Sequence, residues 1–424
     1  MKIKPFKKPP SLPPNFESDS WKRLSSAVTS IFEKKPLLHS TDDNGVTMEP
    51  LSREQLYRNV EDCCVHKFGP TIYNKLQALI DKHLSISFTN LGKKYVDEDG
   101  DSASSFLQSL DLLWQDYCLA LSSIRNIFLY LDRSYVLQHN TCAVGGGCSN
   151  NNNNNNNSNG VVGIWEMGIN VFRRFFIQDK NQQSSTSSNN HRHQISSAHH
   201  SDNINSICNQ CITSLISQIT DSRNGASTNY SILRSQLRML TSLNLYTSTF
   251  HPTFIKSSKT FFIDEAEKMI HDEGFHVPTY LGHVNERLTS SIESSSLYLD
   301  LTSRAPLLKA VENGLLLNHT TFILEKGFSN LLDNERIADL GLLYTLFSRV
   351  SKTQEIKTCL NEYTREKVKS IIQVSDERRV SSPNPPHHAF YAFCFECFSQ
   401  MLFAFLVFQY MFFFAFSGVV VTPS

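Results

Sequence analysis

Residues 104–138 read SSFLQSLDLLWQDYCLALSSIRNIFLYLDRSYVLQ. Leu107, Leu110, Trp114, Tyr117, Leu121, Ile124, Phe128, Leu131 and Tyr135 recur at steps of three and four, the period that lines side chains along one face of an α-helix. Neither Gly nor Pro interrupts them. At the α-helical rise per residue, the stretch predicts a rod of roughly 50 Å. Helices of that length are unusual in compact single domains and common in helical arrays, where each unit buries its apolar face against its neighbours.

The same period continues on both sides. Asp19 and Ser20 supply cap chemistry for a helix carrying Trp21, Leu24, Val28 and Ile31. Ser52-Arg53-Glu54-Gln55 spells a capping box ahead of Leu56, Val60 and Cys63/Cys64; this second helix is expected to stop at Gly69-Pro70, with a third from Thr71 to about Leu84. Helical spacing resumes at Ile164 and runs to Ile177, then returns in Leu233, Leu237, Leu240, Leu243 and in Phe262, Ala266, Met269, Ile270. Pro278 stands where a first-turn proline belongs, Pro306 is expected to open the helix of Leu308, Val311 and Leu315, and Asp333 precedes Ile337, Leu340, Tyr344 and Phe347. No strand-period segment of any length occurs. The fold expected is all-α, an elongated array of helical bundles.

Composition narrows the function. The chain has 424 residues, with 40 Lys+Arg against 40 Asp+Glu and a sequence pI near 7.2. Without a basic excess, coating nucleic acid or lying on an anionic bilayer is not its main business. Residues 1–15 form a Lys/Pro-rich segment with isolated apolar residues Ile3, Phe6 and Leu12, an extended arm suited to lying in a groove of another protein, or a plain terminal tail. No apolar stretch follows its basic residues, so a signal peptide is not expected. The ten cysteines form no secreted disulfide framework, which points to a nuclear or cytoplasmic chain with reduced thiols. Two polar inserts separate helical segments, the low-complexity 140–160 with eight Asn at 150–157, and the Ser/Asn/His-rich 181–205. Phe numbers 29, and eleven of these lie between Phe390 and Phe416. Within that apolar tail, Met401 to Val421 carries no charge and is long enough to span a bilayer as a helix. Either it is a C-terminal anchor, which would make the protein a membrane-bound helical tether, or it is translated non-coding or misjoined sequence.

Catalytic chemistry finds no residues. There is no glycine-rich phosphate loop, GxSxG or HExxH. Cys208-x-x-Cys211 follows His191, His193, His199 and His200, so zinc is conceivable; the i, i+3 spacing among Ile204, Ile207 and Leu215 fits two small apolar residues on a packed face better. Cys394-x-x-Cys397 lies in the Phe-rich tail. No metal, cofactor or catalytic residue is expected.

Several runs carry a resemblance. Pro9-Pro10-Ser11-Leu12-Pro13-Pro14-Asn15-Phe16 through Trp21-Lys22-Arg23-Leu24, then Leu56-Tyr57 with His66-Lys67, then Leu131-Asp132-Arg133-Ser134-Tyr135-Val136 and Ile164-Trp165-Glu166-Met167-Gly168, and finally Leu332-Asp333-Asn334-Glu335-Arg336-Ile337-Ala338-Asp339-Leu340 with Leu346-Phe347-Ser348-Arg349-Val350 resemble, in order, the N-terminal half of the cullins. The cullin-4 type is the best likeness, with cullin-3 second on Leu56-Tyr57-Arg58-Asn59.

The resemblance implies a stack of five-helix cullin repeats: arm 1–15, first repeat 16–180, insert 181–205, second repeat 206–305, a partial third repeat 306–374 and the tail 375–424. It implies a non-catalytic scaffold of a ubiquitin ligase, in nucleus and cytoplasm, that holds a β-propeller substrate-receptor adaptor of the damaged-DNA-binding class. Adaptor contacts carried over by position are Ile3, Phe6 and Leu12 in the arm, Leu56, Tyr57, Val60, Glu61 and Cys64 on the second helix, and Trp165, Met167, Gly168 and Val171 on the fifth. The likeness gives out near Val374 within the third repeat, so a RING-box protein is not expected to bind this chain.

Overall fold

A computed structural model describes residues 13–35, 52–97, 102–138, 161–177 and 207–381. Among them every regular element is helical. The chain divides into two compact units, 1–247 and 248–424.

In the first unit, α1 (Phe16–Phe32), α2 (Arg53–Val65), α3 (Gly69–Asp97), α4 (Ser102–Ile127), α5 (Ile164–Ile177), α6 (Ile207–Arg223) and α7 (Tyr230–Ser242) follow in order. The 104–138 segment supplies the spine, since α4 packs against α1, α2, α3, α5, α6 and α7. Leu107, Leu110, Leu121 and Ile124 are fully buried on it. A helix touched from so many sides must also bury polar atoms: Asp111 accepts hydrogen bonds from Gln115 Nε2 (2.6 Å) and Gln236 Nε2 (3.2 Å). Each would be costly to strand unpaired.

The expected capping box forms at α2. Glu54 N–H donates to Ser52 Oγ, and Ser52 N–H donates to Gln55 Oε1. The expected continuous rod does not form. α4 stops at Ile127, and after Phe128 the chain re-enters a short helix at Leu129–Leu131 and a π-type turn at Asp132–Val136. Periodicity could not show this, because one extra residue in a turn leaves Leu131 and Val136 buried while rotating the side chains between them. α3 runs to Asp97, past the boundary expected near Leu84, because Phe88 and Leu91 extend the buried stripe and Phe88 meets the Phe172 ring edge-on at 5.0 Å. Gly69-Pro70 opens α3, since proline's missing N–H matters least in a first turn.

The second unit contains α8 (His251–Ile270), α9 (Val277–Leu297), α10 (Leu301–Leu315), α11 (Thr320–Asp333), α12 (Ile337–Arg349) and α13 (Thr353–Ser381). Its main contact is α8 against α10, with α9 packed on α10. Pro306 lies inside α10 rather than opening it; Asp300 accepts from Thr302 N–H (2.9 Å) and starts the helix earlier. Glu265 of α8 accepts from Arg287 Nε of α9 (2.9 Å), and the Tyr280 hydroxyl donates to Leu315 O (2.6 Å).

Among the described residues no helix is long and apolar enough to cross a membrane. The 401–421 segment, both polar inserts and Cys394/Cys397 lie outside those residues.

Candidate interaction surface

α2 and α5 carry the residues expected to meet a partner, and the 129–136 segment joins them. Tyr57 of α2 meets the Tyr130 ring edge-on at 6.3 Å, and Cys64 Sγ approaches the Ser134 side chain. Two residues beyond Tyr130, Asp132 Oδ1 accepts the Ile164 N–H that opens α5 (2.9 Å), while its other oxygen stands 3.7 Å from Arg125 Nε. Tyr135 packs its ring on Tyr73 of α3 at 5.8 Å. The short helix thus holds Tyr130 against α2, and the π-type turn after it holds Asp132 against α5 and Tyr135 against α3.

The expected contact residues separate into two layers. Tyr57, Glu61 and Cys64 are half-buried, and Trp165 is 39% exposed. Leu56, Val60, Met167, Gly168 and Val171 are buried. Leu56 and Val60 belong to the core face of α2. Gly168 seats α5 on α4: its carbonyl accepts from the Tyr117 hydroxyl (2.7 Å), and an added Cβ would lie 2.5 Å from Leu121 Cδ1. Phe172, one turn on, meets Trp114 edge-on at 4.9 Å and lies 5.3 Å from the Tyr117 ring. Aromatic pairs of this kind contribute about 0.5–1.5 kcal/mol each beyond their buried area. Ile3, Phe6 and Leu12 lie outside the described residues.

Burial governs the titrating groups. It pushes the Cys64 thiol up against the opposing effect of Ser134, and raises Cys63 to about 11. It also raises the Tyr73 phenol, partly offset by the bond to Val162, so that hydroxyl stays protonated and able to donate. None of these is an activated nucleophile.

Cys208 and Cys211 are buried on α6, with the Cys211 thiol donating to Gln236 Oε1 (3.9 Å). Among the described residues no group of three or more His, Cys, Asp or Glu is placed to hold a metal ion. His191, His193, His199 and His200 lie outside them.

Sequence reasoning missed Tyr130, Asp132 and Tyr73 as supports beneath this surface. Tyr130 and Asp132 stood in the founding stretch, read as rod. The missed signal was the crowding of Tyr130, Asp132 and Tyr135 with Arg125 and Arg133 at its C-terminal end, too polar and aromatic for plain core.

Comparison with known proteins follows the same outline. A family model for the cullin alpha solenoid domain matches residues 21–388, which carries the likeness past Val374. The chain is 31% identical to Cullin-4A of Mus musculus over 352 residues, 83% of this chain and 38% of that protein. It is 31% identical to Cullin-4 of Dictyostelium discoideum over 365 residues, 86% of this chain and 38% of the relative. Cullin-3 of the same organism is 24% identical over 377 residues, 87% of this chain and 40% of the relative. The chain therefore spans well under half the length of these relatives, and it matches their N-terminal part.

Proposed function

The chain belongs to the cullin family, and we propose that it serves as a scaffold segment of a cullin-RING ubiquitin ligase, holding a β-propeller substrate-receptor adaptor of the damaged-DNA-binding class. It contributes no catalytic step of its own and acts in the nucleus and cytoplasm.

The observation that supports this most is that the 129–136 segment meets both helices, Tyr57 and Cys64 of α2 through Tyr130 and Ser134, and the N–H that opens α5, next to Trp165, through Asp132. Tyr57 and Trp165 are partly open amphipathic rings, the residue types that dominate binding energy at protein interfaces. Both stand on helices whose opposite faces are anchored in the core, so little freedom is lost when a partner lands. Leu56, Val60, Met167, Gly168 and Val171 lie beneath and hold the two helices in place. The arm 1–15 adds a second, extended contact.

Calorimetric titration of the purified chain with the propeller adaptor tests this. Trp165→Ala weakens binding by about thirtyfold, the size of a hot-spot truncation, and deletion of residues 1–15 weakens it by about tenfold. No binding by the unmodified chain, or unchanged affinity in both variants, overturns the reading.

A further inference from the structure

Residues 161–163 enter α5 directly after the polar insert 140–160. The first N–H groups of any helix lack partners within it, and a preceding Ser, Thr, Asp or Asn ordinarily supplies one. Here the preceding residue is Gly163, which has no side chain to offer. The cap comes instead from Asp132, whose Oδ1 accepts from Ile164 N–H at 2.9 Å. A carboxylate is also the favoured charge at that end of a helix.

A second anchor sits two residues earlier. The buried Tyr73 hydroxyl donates to Val162 O (2.9 Å) and accepts from Val162 N–H (3.3 Å), holding both polar groups of one peptide residue. Tyr73 stands on α3, which packs along α5, and Asp132 stands on the π-type turn. The approach to α5 is therefore pinned by two separate elements, neither of which belongs to the insert.

We infer that Tyr73 and Asp132 form a two-point clamp that positions Trp165 for its partner and insulates it from the insert. The inference rests on the proposed adaptor surface and adds to it two positioning residues that touch no partner. A Trp one residue past the clamped amide follows any shift of the first turn. With the clamp in place, the insert can change in length without moving it.

The test measures adaptor affinity by calorimetry and amide hydrogen exchange across 162–167, in the full chain. Asp132→Ala speeds exchange at Ile164 and weakens adaptor binding, each by about tenfold, as befits a lost hydrogen bond to a charged acceptor. Asp132→Asn keeps an acceptor oxygen and restores both to within about threefold. Tyr73→Phe, which removes only the hydroxyl and keeps the ring, frees the Val162 amide to exchange and weakens binding by roughly threefold. Removing Asn150–Asn157 changes neither reading. The clamp is overturned if Asp132→Ala leaves exchange unchanged, if exchange rises with no loss of affinity, or if shortening the insert weakens binding as much as Asp132→Ala does. Should the unmodified chain fail to bind the adaptor, the proposed function fails. The clamp then stands or falls on exchange alone: fast in Asp132→Ala, slow in Asp132→Asn and indifferent to the insert.

Discussion

Two helices, one in each unit, are seated by the same device with different consequences. In the first unit Gly168 lets α5 approach α4, where an added Cβ would press on Leu121 and lie 3.0 Å from the Tyr117 hydroxyl oxygen. In the second, Gly314 lets α10 approach α8, where an added Cβ would lie 2.8 Å from Phe262 Cβ and 3.1 Å from its backbone carbon. A tyrosine hydroxyl reinforces the first contact, Tyr117 of α4 on Gly168 O, whereas in the second unit Tyr280 of α9 donates to Leu315 O and ties α10 to α9. At α5 the seat lies one turn from Trp165, so close packing is converted into placement of an exposed ring. The α10 seat lies in the interior of its unit, among Phe262, Val311 and Leu315. Close packing is thus general to the fold, and coupling it to a surface is local.

Substitutions can separate seat from surface. The largest effect is expected from Gly314→Val. The obstruction includes backbone, which cannot rotate away, so the unit 248–424 loses about 3 kcal/mol, read as a fall in its melting transition. Adaptor affinity of the folded protein stays within about twofold, because the two sites share no partner. A large loss of affinity there would break the distinction between the units. Gly168→Ala is milder, about 1–2 kcal/mol, because Leu121 Cδ atoms can move, although burial restricts them. It is expected to lower both the stability of the first unit and adaptor affinity; a loss of stability alone would show that α5 can shift without carrying Trp165.

The smallest effect concerns charge. Glu265 meets His283 Nε2 (3.3 Å) and the Arg287 guanidinium across α8 and α9. Burial alone would raise its carboxyl, but the nearby His283 ring and the hydrogen bonds and charge of Arg287 outweigh burial and hold it below the ordinary value. A depressed folded pKa contributes stability that is present above the unfolded value, about 4.3, and lost as pH falls through the lower folded one. The second unit is therefore expected to weaken in acid below about pH 4.5, and Glu265→Gln to flatten that part of the profile while lowering stability at neutral pH. An unaltered acid limb would remove Glu265 from the account.

Legibility followed the distance over which each signal acts. Ser52 and Gln55 were readable as a cap because both partners lie within one turn, and Ile164–Ile177 was bounded correctly because its apolar residues hold one face throughout. The end of α3 was misplaced because Phe88 owes its burial to Phe172, eighty-four residues later in the chain. Pro306 misled because local spelling favours proline at a helix start, whereas the stronger Asp300 cap began the helix sooner. The break after Ile127 left no mark in a pattern that tolerates an extra residue.

The candidate surface divides in the same manner. Tyr57 and Trp165 could be singled out by likeness to a family, but nothing in their own neighbourhoods tells an open ring from a buried one. Tyr73 and Asp132 could not be found that way, since each acts on backbone distant in sequence, at Val162 and Ile164.

The sequence by itself determined that this protein is helical, where most helices lie and which family it joins, because periodicity, caps and motif order are local properties of the chain. Only the tertiary structure decided that α4 is a shared spine, that its apparent rod is interrupted at Phe128, and that the 129–136 segment beyond the break ties α2 to the start of α5. Those facts depend on contacts between segments dozens of residues apart, whose energies arise only once the chain has folded.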